Sequence, residues 1–197
     1  MLEPEYRTGF RVLNREIGLW STLRAVIPAA VKSLRIHYKI DKNLDEAERQ
    51  KRELKNHFKL LAFMYKELER QLGTEKTNEV MHTVLMRGGQ AFFRGFTPLG
   101  ADGDLMDFVT VYKDFEANNV VFDVIEESHQ KFEIVIRRCL IYETFMELGI
   151  GDLTQWMCDI ASDYFNGYHP RIQYTKDRMI ARGDDTCHEV FVWQDRL

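Results

Sequence analysis

At about Asn119 the hydrophobic pattern changes period, and that single change restricts the chain to a mixed fold. Before it, Leu54, Phe58, Leu61, Tyr65, Leu68 and Leu72 recur at alternating steps of three and four, the seam of a core-packing helix. After it, Val120 to Ile125 is β-branched and aromatic. Phe132, Ile134 and Ile136 then alternate with Lys131, Glu133 and Arg137, so one face of a strand is apolar. The polar cluster Glu127-Ser128-His129-Gln130 between these runs predicts a hairpin. Two helices follow, around Leu140 to Leu148 and Leu153 to Phe165. A second hairpin is expected from Arg171 to Ala181, turning at Gly183-Asp184-Asp185 into Cys187 to Trp193. The fold class is α+β: a helical N-terminal half packed on a four-stranded, mostly antiparallel sheet built from two hairpins with two inserted helices. A chain of 197 residues suits one core, so 1–197 is read as a single domain, mainly helical over 1–118 and sheet-containing over 119–197.

The N-terminal half can be divided further. Leu13 to Leu34 is apolar on a broad face through Leu13, Ile17, Trp20, Leu23, Ile27 and Val31, with a kink or break expected at Pro28. Asn43 with Glu46 resembles a capping box at the start of the Leu54–Leu72 helix, and Gly73 supplies its stop. A third helix is expected from Thr74 toward Phe92. Gly88-Gly89 inside it should either break it or admit a close neighbour. Gly95 to Gly103 reads as a loop, after which Asp102 or Asp104 caps a short helix bearing Leu105, Phe108, Val109 and Tyr112.

Charge and composition exclude several functions. With 27 Lys plus Arg against 31 Asp plus Glu the formal net charge is −4, and the bases are scattered, so no nucleic-acid partner is expected. Met1-Leu2-Glu3-Pro4-Glu5 carries acids where a signal peptide carries bases. No apolar run approaches the roughly 18 to 20 residues of a membrane span. No membrane partner and a bacterial cytoplasmic location are therefore expected. Three cysteines, Cys139, Cys158 and Cys187, all in the last third, do not make a disulfide framework and fit a reducing compartment. Trp20 and the other N-terminal apolar residues suit self-association into a homo-oligomer.

The C-terminal segment carries a more specific pattern. It runs Arg138-Cys139, Glu147-Leu148-Gly149, Trp156-Met157-Cys158-Asp159, Arg178-Met179-Ile180-Ala181-Arg182-Gly183, and Cys187 ahead of Val190-Phe191-Val192. In order and spacing this resembles the L-2-amino-thiazoline-4-carboxylic acid hydrolase family over roughly residues 120–193, with a general helical likeness before that. In the family one cysteine follows a strand and opens a helix. A second sits among acids in the next helix, and a third follows a Gly-containing turn into the last strand. Two positions depart: His188 stands where the family often has Asp, and Ala161 where it tends to have an acid, with Asp159 and Asp163 flanking. The resemblance implies a hydrolase that opens a thiazoline ring with water to give an N-carbamoyl-cysteine. A similar ending occurs in the ligand-binding domain related to 4-vinyl reductases. That makes a non-enzymatic domain binding a small ligand or a metal the alternative.

The candidate residues follow from these motifs. The ordinary place for a free cysteine is the core. Functionally, Cys139, Cys158 and Cys187 are candidate ligands of a divalent metal such as zinc, with Asp159, His188 or His169 completing the shell. Alternatively one thiolate attacks the amidine-like carbon, and its place after the turn favours Cys187. Adjacent strand residues point to opposite faces, so His169 rather than His188 is the better base for it. Asp159 and Asp163, four apart on one helix face, are either a solvated pair or the general base. Lys176 and Arg178 share a predicted strand face with Ile172, Tyr174 and Ile180. They are candidate anchors for a substrate carboxylate, or else edge-strand cations that snorkel. Cys139 and His188 complete the set assigned to substrate binding.

Overall fold

The computed structural model describes residues 4–93, 99–100 and 102–194. Much of the expected Gly95–Gly103 loop thus lies outside the described residues. Helices α1 (Pro4–Arg35), α2 (Glu46–Leu72), α3 (Thr74–Phe93) and α4 (Leu105–Glu116) precede the sheet. Strands β1 (Val120–Glu127) and β2 (Lys131–Cys139) form the first hairpin. Helices α5 (Leu140–Leu148) and α6 (Leu153–Tyr168) follow, then β3 (Ile172–Arg178), a 3-10 turn (Ile180–Arg182) and β4 (Cys187–Trp193). The strand order is β1-β2-β4-β3 with every pair antiparallel, so the two hairpins join through β2 and β4.

Local chemistry sets the helix ends. Asp104 starts α4 with a complete capping box. Its carboxylate accepts from the Met106 and Asp107 amides at 2.8 and 3.1 Å, while the Asp104 amide donates to Asp107 at 3.1 Å. At α2 the cap is Asp45, not Asn43: its carboxylate accepts from the Glu48 amide at 2.9 Å. Asn43 instead donates its own amide to Asp41, within the turn before the helix. In α1 the expected break at Pro28 is not where the helix is interrupted. It runs on through Pro28, and the non-helical residue is Gly18, at φ 77° and ψ 162°. A proline forfeits one backbone bond, whereas glycine alone meets no Cβ clash at positive φ, so the kink settles there.

The face of α1 expected to be its core face is split: Leu13 is buried and Ile17 and Leu23 are half-buried, but much of it beyond Gly18 points outward. Thr22, Ala25 and Ala29 are buried, while Trp20, Ile27, Val31 and Leu34 are exposed. Small residues on the inner side let α1 approach α2 and α3, its packing partners. α2 in turn packs on α5, and Lys51, itself buried, ties the two through Glu147 at 3.0 Å and Glu143 at 3.4 Å.

α3 continues through Gly88-Gly89, and the close neighbour there is α6. A Cβ on Gly89 would stand 2.7 Å from Cγ2 of Ile160, a side chain buried in the core. Gly89→Ala gains about 1 kcal/mol of helix propensity but strains a packed contact by about 1–3 kcal/mol. We expect a net loss of stability, read as a lower denaturation midpoint. An unchanged or higher midpoint would show that α3 and α6 move apart freely.

In the sheet, Phe132, Ile134 and Ile136 of β2, Ile172 and Tyr174 of β3, and Cys187, Glu189 and Phe191 of β4 are buried. They face α4 and α6, which cover this side. Phe191 stands at the centre of the contact, with ring centroids 4.8 Å from Phe108, 5.1 Å from Tyr112 and 5.6 Å from Phe165. β3 ends at Arg178 rather than at Ala181, because the chain turns into the 3-10 segment. The Met179 amide donates to Asp184 there at 2.6 Å.

Candidate functional site

The buried face of the sheet carries ionisable groups among its apolar ones. Strand alternation puts Glu189 in phase with Cys187 and Phe191, so an acid enters the core. It does not stand there alone. Lys176, from the same face of β3, meets its Oε1 at 2.6 Å, with both side chains nearly closed to solvent. The Tyr112 hydroxyl, from α4, donates to its Oε2 at 2.7 Å. One helical turn further along, Glu116 completes the acids. Burial of its carboxyl, then the negative charge of Glu189, raise its pKa to about 8, against the pull of Lys176 and Asn119. The residue as a whole keeps part of its surface in water, although its carboxyl is enclosed by protein.

The neighbours of this set are consistent with it. Burial alone would push the Lys176 ammonium down, but Glu189 more than reverses this and holds it charged. Tyr112 and Tyr174 are both raised, by burial first and by Glu189 next. The Tyr174 hydroxyl is buried and finds no hydrogen-bond partner. Ser162 is near enough to draw the Tyr174 pKa back down, less than burial raises it.

The cysteines surround the set but do not behave as activated groups. Burial raises the Cys139 thiol to about 12. The Tyr142 amide, donating to its sulfur at 3.4 Å, lowers it less than burial raises it. Cys158 is raised to about 11, again by burial, with Lys176 opposing. Cys187 is 3% exposed, its sulfur accepts from the Ile180 amide at 3.3 Å, and burial raises it too. Cys187, favoured as the nucleophile for its place after the turn, is thus turned by the strand into the core. Nucleophilic thiols need the opposite shift. Among the described residues no three His, Cys, Asp or Glu side chains converge on a metal-holding position. Cys139, Cys158 and Cys187 therefore do not fit the zinc site considered for them.

The other predicted site residues are dispersed. His188 lies on the outer face of β4, opposite Cys187, with its ring nitrogens 2.8 Å from Asp177 and 2.9 Å from Glu133. His169 ends α6 and stacks on Trp193, with ring centroids 5.2 Å apart, whereas Cys187 begins the same strand. Six residues of extended chain separate the two ends by roughly 20 Å, so His169 is not a base for Cys187. Asp159 pairs with Arg182 at 2.8 Å. Asp163 is exposed and lines a cavity of about 250 Å³ with Met86, Gln90, Phe93, Ile160 and Tyr164, between α3 and α6. Of the two strand cations, only Lys176 faces the core. A register shift between Lys176 and Arg178 turns Arg178 out to solvent beside Asp177, because a bulge breaks the alternation of faces.

The outer-face histidine has a pH signature of its own. Hydrogen bonding to Glu133 raises its pKa above 6.5, with burial opposing and Asp177 adding to the rise. Its contribution to stability is therefore complete below about pH 6.5 and lost as pH rises through the raised value. Removing it as His188→Gln should cost at most about 1 kcal/mol at pH 6 and nothing well above neutrality. Melting curves at the two pH values check this, and an equal loss at both would sink it.

Tyr112, Glu116, Tyr174 and Glu189 were not singled out from the sequence, although two signals were present. Glu189 is an acid in phase with the apolar positions of its strand, and Glu116 follows Tyr112 by four on the apolar face of its helix.

An antiparallel sheet covered on one face by helices, with a lysine, two glutamates and two tyrosines gathered beneath it, defines an α+β protein with a buried ionisable site. The chain belongs to the L-2-amino-thiazoline-4-carboxylic acid hydrolase family, whose model matches residues 52–191. The match begins in α2, well before the segment around residue 120 where the sequence motifs start. No curated protein matches the chain. Among solved structures it is similar to the Fe(II) unliganded H-NOX protein from K. algicida at 8% identity and a TM-score of 0.43, over 98% of this chain and 96% of that one. It is also similar to an oxygen-binding H-NOX domain related to soluble guanylate cyclases, at 11% identity and a TM-score of 0.33, over 99% and 96% of the two chains. A likeness this loose assigns no role to any residue here.

Proposed function

We propose that the protein hydrolyses a small cyclic amidine of the thiazoline type, with Glu116 as the general base. The observation that carries this reading is a carboxyl raised to about 8 beside the buried Lys176–Glu189–Tyr112 set. A base is most effective when its pKa lies near the working pH, and Glu116 is the acid of the set raised toward it.

For 2-amino-thiazoline-4-carboxylate the chemistry runs as follows. Water adds to the ring carbon between sulfur and nitrogen while Glu116 takes its proton. The carbon–sulfur bond then breaks as the added hydroxyl becomes the urea carbonyl; its proton goes to the former ring nitrogen, and the proton held by Glu116 passes to the departing sulfur, leaving N-carbamoyl-cysteine. Glu189 offers a carboxylate complementary to the amidine nitrogens, and Lys176 with Tyr112 orients that carboxylate. The thiols, held protonated by burial, serve as polarisable walls rather than as nucleophiles.

The test is turnover of 2-amino-thiazoline-4-carboxylate by the purified chain, followed by mass of the carbamoyl product and by appearance of free thiol. The expected rate rises with pH through about 8 as Glu116 ionises. Absence of any product over that range, in a folded sample, would transfer the site to the binding-domain reading.

A further inference from the structure

We infer that the outward face of α1 docks, lying flat, on an anionic lipid surface. This departs from the sequence-based expectation of no membrane partner, and it is independent of the chemistry proposed beneath the sheet. Beyond the kink at Gly18, α1 is turned the opposite way from an ordinary surface helix, although Leu13 before it is buried. It buries Thr22, Ala25 and Ala29 and presents Trp20 at 79% exposure and Leu34 at 88%, with Ile27 and Val31 between them. At 3.6 residues per turn these four side chains fall within about 60° of one another, a continuous apolar ridge along the helix.

Charge indicates what covers the ridge. From Gly18 to Ile40 the chain carries Arg24, Lys32, Arg35 and Lys39 and no acid, in a protein of formal net charge −4. On the helical wheel Arg24, Arg35 and Lys32 lie in that order along one edge of the ridge. All four cations are exposed, and none is in an ion pair among the described residues. Lys32 also leans over the Phe63 ring, 5.4 Å from its centroid. An apolar ridge that begins at a tryptophan and has exposed cations outside ion pairs beside it matches a bilayer interface: the ridge enters the acyl boundary and the cations meet anionic headgroups. A second copy of the chain is the poorer fit, because a two-fold contact would set this cationic edge against itself. No helix among the described residues is long and apolar enough to cross a membrane, so the helix lies on the surface rather than spanning it.

The experiment is co-sedimentation of the full chain with phosphatidylcholine vesicles, with and without phosphatidylserine, at low and high salt. Tryptophan emission is read in parallel, since Trp156 and Trp193 are already partly buried. The expected result is binding about tenfold stronger to the anionic vesicles, fading with salt, with a blue-shifted emission. Arg24→Glu/Arg35→Glu should weaken binding by about tenfold or more, and Trp20→Ser/Leu34→Ser should abolish it. All four positions are exposed, so melting curves should stay close to wild type, and if one pair fails to fold the other decides. Two outcomes overturn the inference. One is failure to sediment with anionic vesicles at low salt. The other is a dimer in solution that Trp20→Ser/Leu34→Ser dissociates, which assigns the face to a second copy.

Discussion

Lys176→Met will lower the free energy of unfolding by about 3–5 kcal/mol, the largest loss expected from any single conservative change beneath the sheet. Methionine fills nearly the same volume, so packing is not what fails. The Glu189 carboxylate, 5% exposed, loses the ammonium 2.6 Å away and keeps only the Tyr112 hydroxyl. A charge left unpaired in the core is costly because its solvation has already been given up. Neutralising both partners together, Lys176→Met with Glu189→Gln, should restore much of the stability, since the amide still accepts from Tyr112. Denaturant titration of the two single variants and the double variant closes the cycle. A loss under about 1 kcal/mol in Lys176→Met would mean that water reaches Glu189, and the buried set would not exist as described.

Glu116→Gln has the second large effect, on catalysis, and its sign in stability is opposite. As the base, Glu116 is expected to account for about 10²- to 10⁴-fold of the rate, which the amide cannot supply. Stability moves the other way. The folded protein holds the Glu116 proton up to about pH 8, whereas the unfolded chain releases it near 4.5, so the wild type loses stability as pH rises between those values. Glutamine does not titrate. The variant should therefore show a flatter stability profile over that window and exceed the wild type above pH 8. Activity and melting measured across pH on the same samples test both halves. A variant that keeps full activity, or whose stability tracks the wild type at every pH, refutes the role of Glu116.

The two effects rest on different parts of the same set, and they explain why the cysteines are poor guides to the chemistry. Their motif marks the family, and the family is correct. Yet each thiol is buried and pushed toward the protonated form, while the acid raised toward neutrality, Glu116, sits on α4. Spacing in sequence picked out Cys187 with His169, which stand at opposite ends of β4.

Periodicity by itself determined the α+β class, both hairpins and the two inserted helices and narrowed the cap of α4 to Asp102 or Asp104, because these depend on contacts between residues near in sequence. The Gly73 stop was legible for the same reason. Other features needed the third dimension. Whether the ridge of α1 faced inward was decided by competition with Ala25 and Ala29 for close packing on α2 and α3, and pattern alone favoured the larger residues. Arg178 left its expected face because of a bulge, which changes parity without leaving a mark in the run of residue types. The site itself was hidden most deeply. Tyr112, Glu116, Lys176 and Glu189 come from one helix and two strands, and none has a charged partner nearby in sequence. Burial and pairing of such groups are properties of the assembled core, where a charge is tolerated only if another element delivers its partner.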